Sequence, residues 1–196
     1  MYKKQMILQR IVCYALLIAA VIVFIYSLGL STDLYESLFP YANATSKRKF
    51  VSGADIYYNI QPFNKQFTGV SIALILSAVS LFVFNTHKRR KYYIGNYVTV
   101  ALNAIINVAA SVWALGNIMA YKAQYLLIDF EKLAELADRY DTKYIESTAW
   151  FDASIPVFVI LLAVTLISLV NLVLKILLMR GEKQLINGGD LTDEEN

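Results

Sequence analysis

ALNAIINVAASVWALGN, residues 101–117, carries no charge and three asparagines, Asn103, Asn107 and Asn117. An amide moved into hydrocarbon without a hydrogen-bond partner costs several kcal/mol. The stretch is therefore either part of a large soluble core or a membrane helix whose amides face protein, and that choice decides the fold. On a helix turning about 100° per residue, Asn103, Asn107, Ala110, Ala114 and Asn117 fall within about 40° of one line. Asn96, Thr99 and Tyr121 extend the same line, while the Leu, Ile and Val side chains lie elsewhere. The stripe is polar or small throughout, so it points away from lipid if the segment crosses a membrane.

The surrounding chain selects the membrane. Of its 196 residues 58% are hydrophobic and 17% charged, with mean hydropathy +0.50, whereas soluble domains carry about 25% charged residues. About 20 apolar residues cross a hydrocarbon core, and four segments qualify: 11–30, 67–84, 97–121 and 155–179. Buried helices of a soluble core would need far more polar sequence to cover them. The expected fold class is an all-α integral membrane protein, a four-transmembrane-helix bundle. Residues 1–180 form the membrane domain, with outer loops 31–66 and 122–154, and 181–196 form a flexible cytoplasmic tail. The first span has a basic start, but its apolar run exceeds the roughly 7–15 residues of a signal h-region, so it reads as an uncleaved anchor.

Lys and Arg placement orients the bundle. The short segments on one side hold Lys3, Lys4, Arg10, Lys88, Arg89, Arg90, Lys91, Lys175, Arg180 and Lys183. The long loops on the other side hold eight basic residues beside ten acids. The tight hairpin Lys88–Lys91 puts both termini in the cytoplasm, with Tyr92, Tyr93 and Tyr97 as an interfacial belt. Between two spans that basic run serves topology, and no nucleic-acid partner is expected. One cysteine, Cys13, forbids an intramolecular disulfide. The loops thus lack the cysteines that staple claudin-like and tetraspanin-like proteins, and the residues identify no family. Compact cysteine-free loops and a basic hairpin are expected of a bacterial plasma-membrane protein.

The loops promise an extracytoplasmic cap. In the first, Ser31 or Thr32 is placed to cap a short helix ending before Pro40, and Asn64 to cap the second span. Tyr57, Tyr58 and Phe63 in IYYNIQPFN either pack on the helix ends or form a recognition surface. In the second loop Leu126, Phe130, Leu133, Leu136, Ala137, Tyr140 and Tyr144 share one face, which predicts an amphipathic helix of about five turns, continuous with span three. The first loop or a partner protein suits its apolar face better than an anionic lipid surface does.

Catalytic patterns are missing from the sequence. The single histidine, His87, builds neither a metal cluster nor a triad, and no glycine-rich phosphate cradle is written in the chain. No enzyme activity, cofactor or metal is therefore expected. The only charge inside a span is Lys175, close enough to its end for the stem to snorkel, so ion coupling has little support. Small-residue faces remain: Gly69, Ala73, Ser77 and Ser80 on span two invite close approach of another helix. Ser168, Asn171 and Lys175 share a side of span four. The asparagine stripe reads three ways: glue within the bundle, a docking face, or the polar path of an oligomeric channel or transporter component. The expectation carried forward is a non-enzymatic accessory or scaffold subunit of a larger membrane complex such as a transporter, partnered by another integral membrane protein or by itself.

Overall fold

The computed structural model describes residues 2–43, 49–85 and 94–190. They form α1 (Tyr2–Leu38), a 3-10 turn (Phe39–Tyr41), α2 (Ile56–Asn85), α3 (Ile94–Tyr125), α4 (Phe130–Arg139), α5 (Ala149–Asp152) and α6 (Ser154–Asp190). No strand occurs among the described residues. Four helices, α1, α2, α3 and α6, are long and apolar enough to cross a bilayer. α1 and α3 each pack on both α2 and α6, closing an antiparallel ring of four. Large apolar side chains point outward from each of these four helices, among them Ile11, Ile18, Leu76, Val83, Ile105, Val112, Val159 and Leu166. A water-exposed surface does not carry so much contiguous apolar area; this is a multi-pass membrane protein.

Small side chains let the helices approach: Ala19, Ala20, Ala78, Ala110 and Ala114 are all buried. Toward the loop end the core becomes aromatic. Phe67 stacks on Phe63 with centroids 5.6 Å apart and meets Tyr26 and Phe158, each at 6.1 Å. Phe63 also touches Trp113 at 5.3 Å and Tyr121 at 5.4 Å. These rings come from all four spans and fill the cross-section.

The helices overrun the expected spans. STDLYESLFP makes no separate helix: α1 runs unbroken to Leu38, and the 3-10 turn around Pro40 takes over. IYYNIQPFN is not loop but the opening turns of α2, with Pro62 inside the helix. Asn64 is consequently no cap; it lies in mid-helix, buried, and its Oδ1 has no partner among the described residues. α6 runs on to Asp190, into the stretch expected to be a flexible tail.

The amphipathic helix is shorter than expected and separate from α3. A turn at Leu126–Ile128 ends α3, and Asp129 restarts the helix, its carboxylate accepting from the Lys132 amide at 3.1 Å. The far end closes at Asp141, whose φ of +51° is left-handed. The Asp141 and Thr142 amides donate back to Asp138 and Ala137 carbonyls at 3.4 and 3.0 Å, a Schellman closure. Leu126 and Tyr140 are therefore exposed, outside the apolar stripe, and Tyr144 is half-buried beyond the helix.

The two long loops cover each other at one end of the bundle. Val51 and Ala54 of the first join Leu133, Leu136 and Ala137 of the second in the core that includes Tyr41, Tyr125 and Phe151. Asp129 N–H donates to the Ser52 carbonyl at 3.2 Å, and the Tyr41 and Thr142 hydroxyls are bonded. This contact needs Gly53: its φ is +84°, and a Cβ there would lie 2.9 Å from the Ile128 Cα.

Candidate functional site

A helix in hydrocarbon satisfies its own backbone, so the sites available to chemistry or recognition are polar side chains and small-residue faces. The ring of helices encloses the first kind in layers. Mid-bundle, Asn107 Nδ2 donates to Asn103 Oδ1 at 3.1 Å and to Thr165 Oγ1 at 2.9 Å. Asn103 Nδ2 donates in turn to Ser77 Oγ at 2.9 Å. Thr165 returns its proton to the Leu161 carbonyl, and Ser111 bonds the Asn107 carbonyl. One chain of hydrogen bonds thus ties α2, α3 and α6 together. Nearer the loop end Ser27 and Ser71 meet at 3.3 Å across α1 and α2.

A second polar layer lies toward the chain termini. Asn171 donates to Gln9 Oε1 at 2.6 Å, and Gln5 Nε2 reaches both Gln9 and Asn171. Lys175, one turn along α6 from Asn171, is 3% exposed. It does not snorkel outward. Its ammonium sits 5.4 Å from the centroid of the Tyr97 ring, and no carboxylate is bonded to it among the described residues. Tyr97 donates to Met179 Sδ at 2.5 Å. Tyr97, Ile176, Met179 and Arg180 line an open, mostly apolar hollow of about 390 Å³ between α3 and α6.

The stripe residues therefore occupy known places. Asn103, Asn107, Ala110 and Ala114 are buried inside the bundle, and Ser77, half-buried, accepts from Asn103. Asn117 is half-buried and donates to the Trp113 carbonyl at 2.8 Å. Gly69 and Ala73 are not with them: both are exposed on the outer face of α2, and nothing lies within 4 Å of a Cβ built on Gly69. Ser80 shares that exposure and bonds its own Leu76 carbonyl at 2.9 Å.

At the loop end Phe63 belongs to the aromatic core, while Tyr58 is exposed and meets the half-buried Tyr57 edge-on at 4.9 Å. Phe130 packs against Tyr125 at 5.5 Å, Leu133 is fully buried, and Tyr140 lies under the Lys49 ammonium at 3.9 Å. The topology residues Lys88, Arg89, Arg90 and Lys91 lie outside the described residues. Among the described residues no three His, Cys, Asp or Glu side chains are grouped to hold a metal. Thr165, Gln5 and Gln9 complete the polar layers and escaped the sequence reading. The i, i+4 spacing of Gln5 and Gln9 with Cys13 was the available signal, because it continues the buried face of α1 ahead of the apolar run. No family model, curated protein or solved structure matches the chain.

Proposed function

We propose that the protein is a non-enzymatic accessory or scaffold subunit of a larger membrane complex such as a transporter, seated in the plasma membrane with both termini cytoplasmic. The observation that carries this reading is a division of labour on α2. The inward-facing Ser71, Ser77 and Asn85 find partners within the chain, whereas Gly69, Ala73 and Ser80 lie exposed on the outward face as notches between Ile72, Leu76 and Val79. Such a face lets a second helix approach closely, and packing drives association where no hydrophobic force operates. Exposed Tyr58 and Phe39, with the bare Leu126–Leu127 turn, extend the available surface beyond the bilayer. The partner is another integral membrane protein or a second copy of this chain.

A photo-crosslinking amino acid at Leu76, 61% exposed within this face, tests the reading against the same residue at Leu166, 63% exposed on α6. In native membranes the expected result is a discrete heavier product from position 76 and none from 166. Its mass distinguishes a second copy from a different subunit. Loss of the product in Ala73→Leu, with an unchanged melting temperature, assigns it to the small face. No product from 76 would sink the proposal.

A further inference from the structure

We infer that the hollow between α3 and α6, with Lys175 behind it and Arg180 at its side, holds the phosphate of an anionic phospholipid. A buried ammonium without a partner is costly, and intramembrane lysines are retained where they meet an anion, a cavity or a relay. Lys175 has the Tyr97 ring beside it and no bonded carboxylate among the described residues. Every described acidic side chain from Asp55 to Asp152 lies at the opposite end of the molecule. At this end four charged side chains can be placed, those of Lys4, Arg10, Lys175 and Arg180, and each is positive.

The hollow has the two-part character of a lipid site. Ile176, Met179 and the Tyr97 ring give an apolar trough open to the bilayer, suited to the glycerol and upper acyl chain. Arg180, exposed, offers a planar fork to a phosphate in the headgroup layer. Tyr97 connects the pair, since it walls the hollow and keeps its ring 5.4 Å from the Lys175 ammonium. Lys175 thereby supplies positive potential from beneath, through a low-dielectric wall that weakens it less than water would. Basic pockets between transmembrane helices are a recurrent mode of anionic headgroup capture. A zwitterionic lipid fits the trough but gains little from the two cations beside it.

Native mass spectrometry of the full chain in detergent, with phosphatidylglycerol or phosphatidylcholine of identical acyl chains, reads the site. The expected result is retention of phosphatidylglycerol in preference to phosphatidylcholine by about fivefold per cation, the worth of one basic group near an anionic surface. Arg180→Gln and Lys175→Met should each lower that preference by a similar factor, while Lys4→Gln on the exposed face of α1 leaves it in place. Arg180 is exposed, so its variant carries the test even if Lys175→Met folds poorly. Equal retention of the two lipids would overturn the inference. So would an equal loss in Lys4→Gln and Arg180→Gln, which marks diffuse attraction rather than a site. Inorganic phosphate raising the melting temperature as much as phosphatidylglycerol would reassign the hollow to a free anion.

Discussion

Asn107 donates to two acceptors at once, and that fixes what its loss does. Replacing it with Leu removes the bonds to Asn103 and Thr165 and strands the Asn103 carbonyl. Interhelical hydrogen bonds in membranes contribute about 0.6–2 kcal/mol each, so Asn107→Leu should lower stability by about 1–3 kcal/mol. Asn103→Leu combined with it should cost less than the sum of the two single changes, because they share one bond. Unfolding of purified protein in mixed micelles measures both quantities. Gly29 makes an opposite argument from size. An Ala there gains about 1 kcal/mol of helix propensity, yet its Cβ would stand 2.8 Å from the Trp150 ring. Overpacking costs about 1–3 kcal/mol, so Gly29→Ala should be net destabilising. In a Trp113→Phe background Trp150 is the only indole, and its emission should shift red as the ring is pushed toward solvent.

The loops behave as an element joined to the bundle through few points. Gly53→Ala forces a left-handed backbone on a residue with a Cβ, worth about 1–2 kcal/mol, and drives that Cβ against Ile128. The expected outcome is local: faster proteolysis within residues 126–148, with a bundle melting temperature that barely moves. A parallel drop in bundle stability would show the loops and spans to be one cooperative unit. The same contact marks the limit of what could be read in advance. The stripe from Asn103 to Asn117 was legible because a helix repeats its face every 3.6 residues. Its acceptors were not, since Ser77 and Thr165 sit on other helices and periodicity carries no information about rotation between neighbours. The apolar arc from Leu126 to Tyr144 looked continuous because an arc ignores caps. Asp129 and the left-handed Asp141 cut it to ten residues. IYYNIQPFN read as a loop because the uncharged apolar run begins only at Phe67, and Pro62 did not stop the helix from starting earlier. Near a helix start the proline sacrifices only one amide bond, to the Tyr58 carbonyl, at an exposed position.

At the scale of the whole molecule the proposed sidedness is directly testable. The sole cysteine, Cys13, is buried, so single cysteines can be placed without removing it. A membrane-impermeant maleimide added to intact cells should label Ser147→Cys, in the second long loop, and spare Lys88→Cys until the membrane is opened. The reverse pattern would invert the assigned topology. The aromatic layer carries a consequence of another kind. Tyr26, Phe63, Phe67, Trp113, Tyr121 and Phe158 come from all four spans and interlock a few ångströms apart, and a constriction of such rings does not keep a file of water. The expected behaviour of each copy is that of an electrical insulator, however polar its middle. Vesicles packed with the purified chain should sustain a potassium diffusion voltage as long as empty ones do. A cell can then carry many copies without discharging the gradient that powers its neighbours.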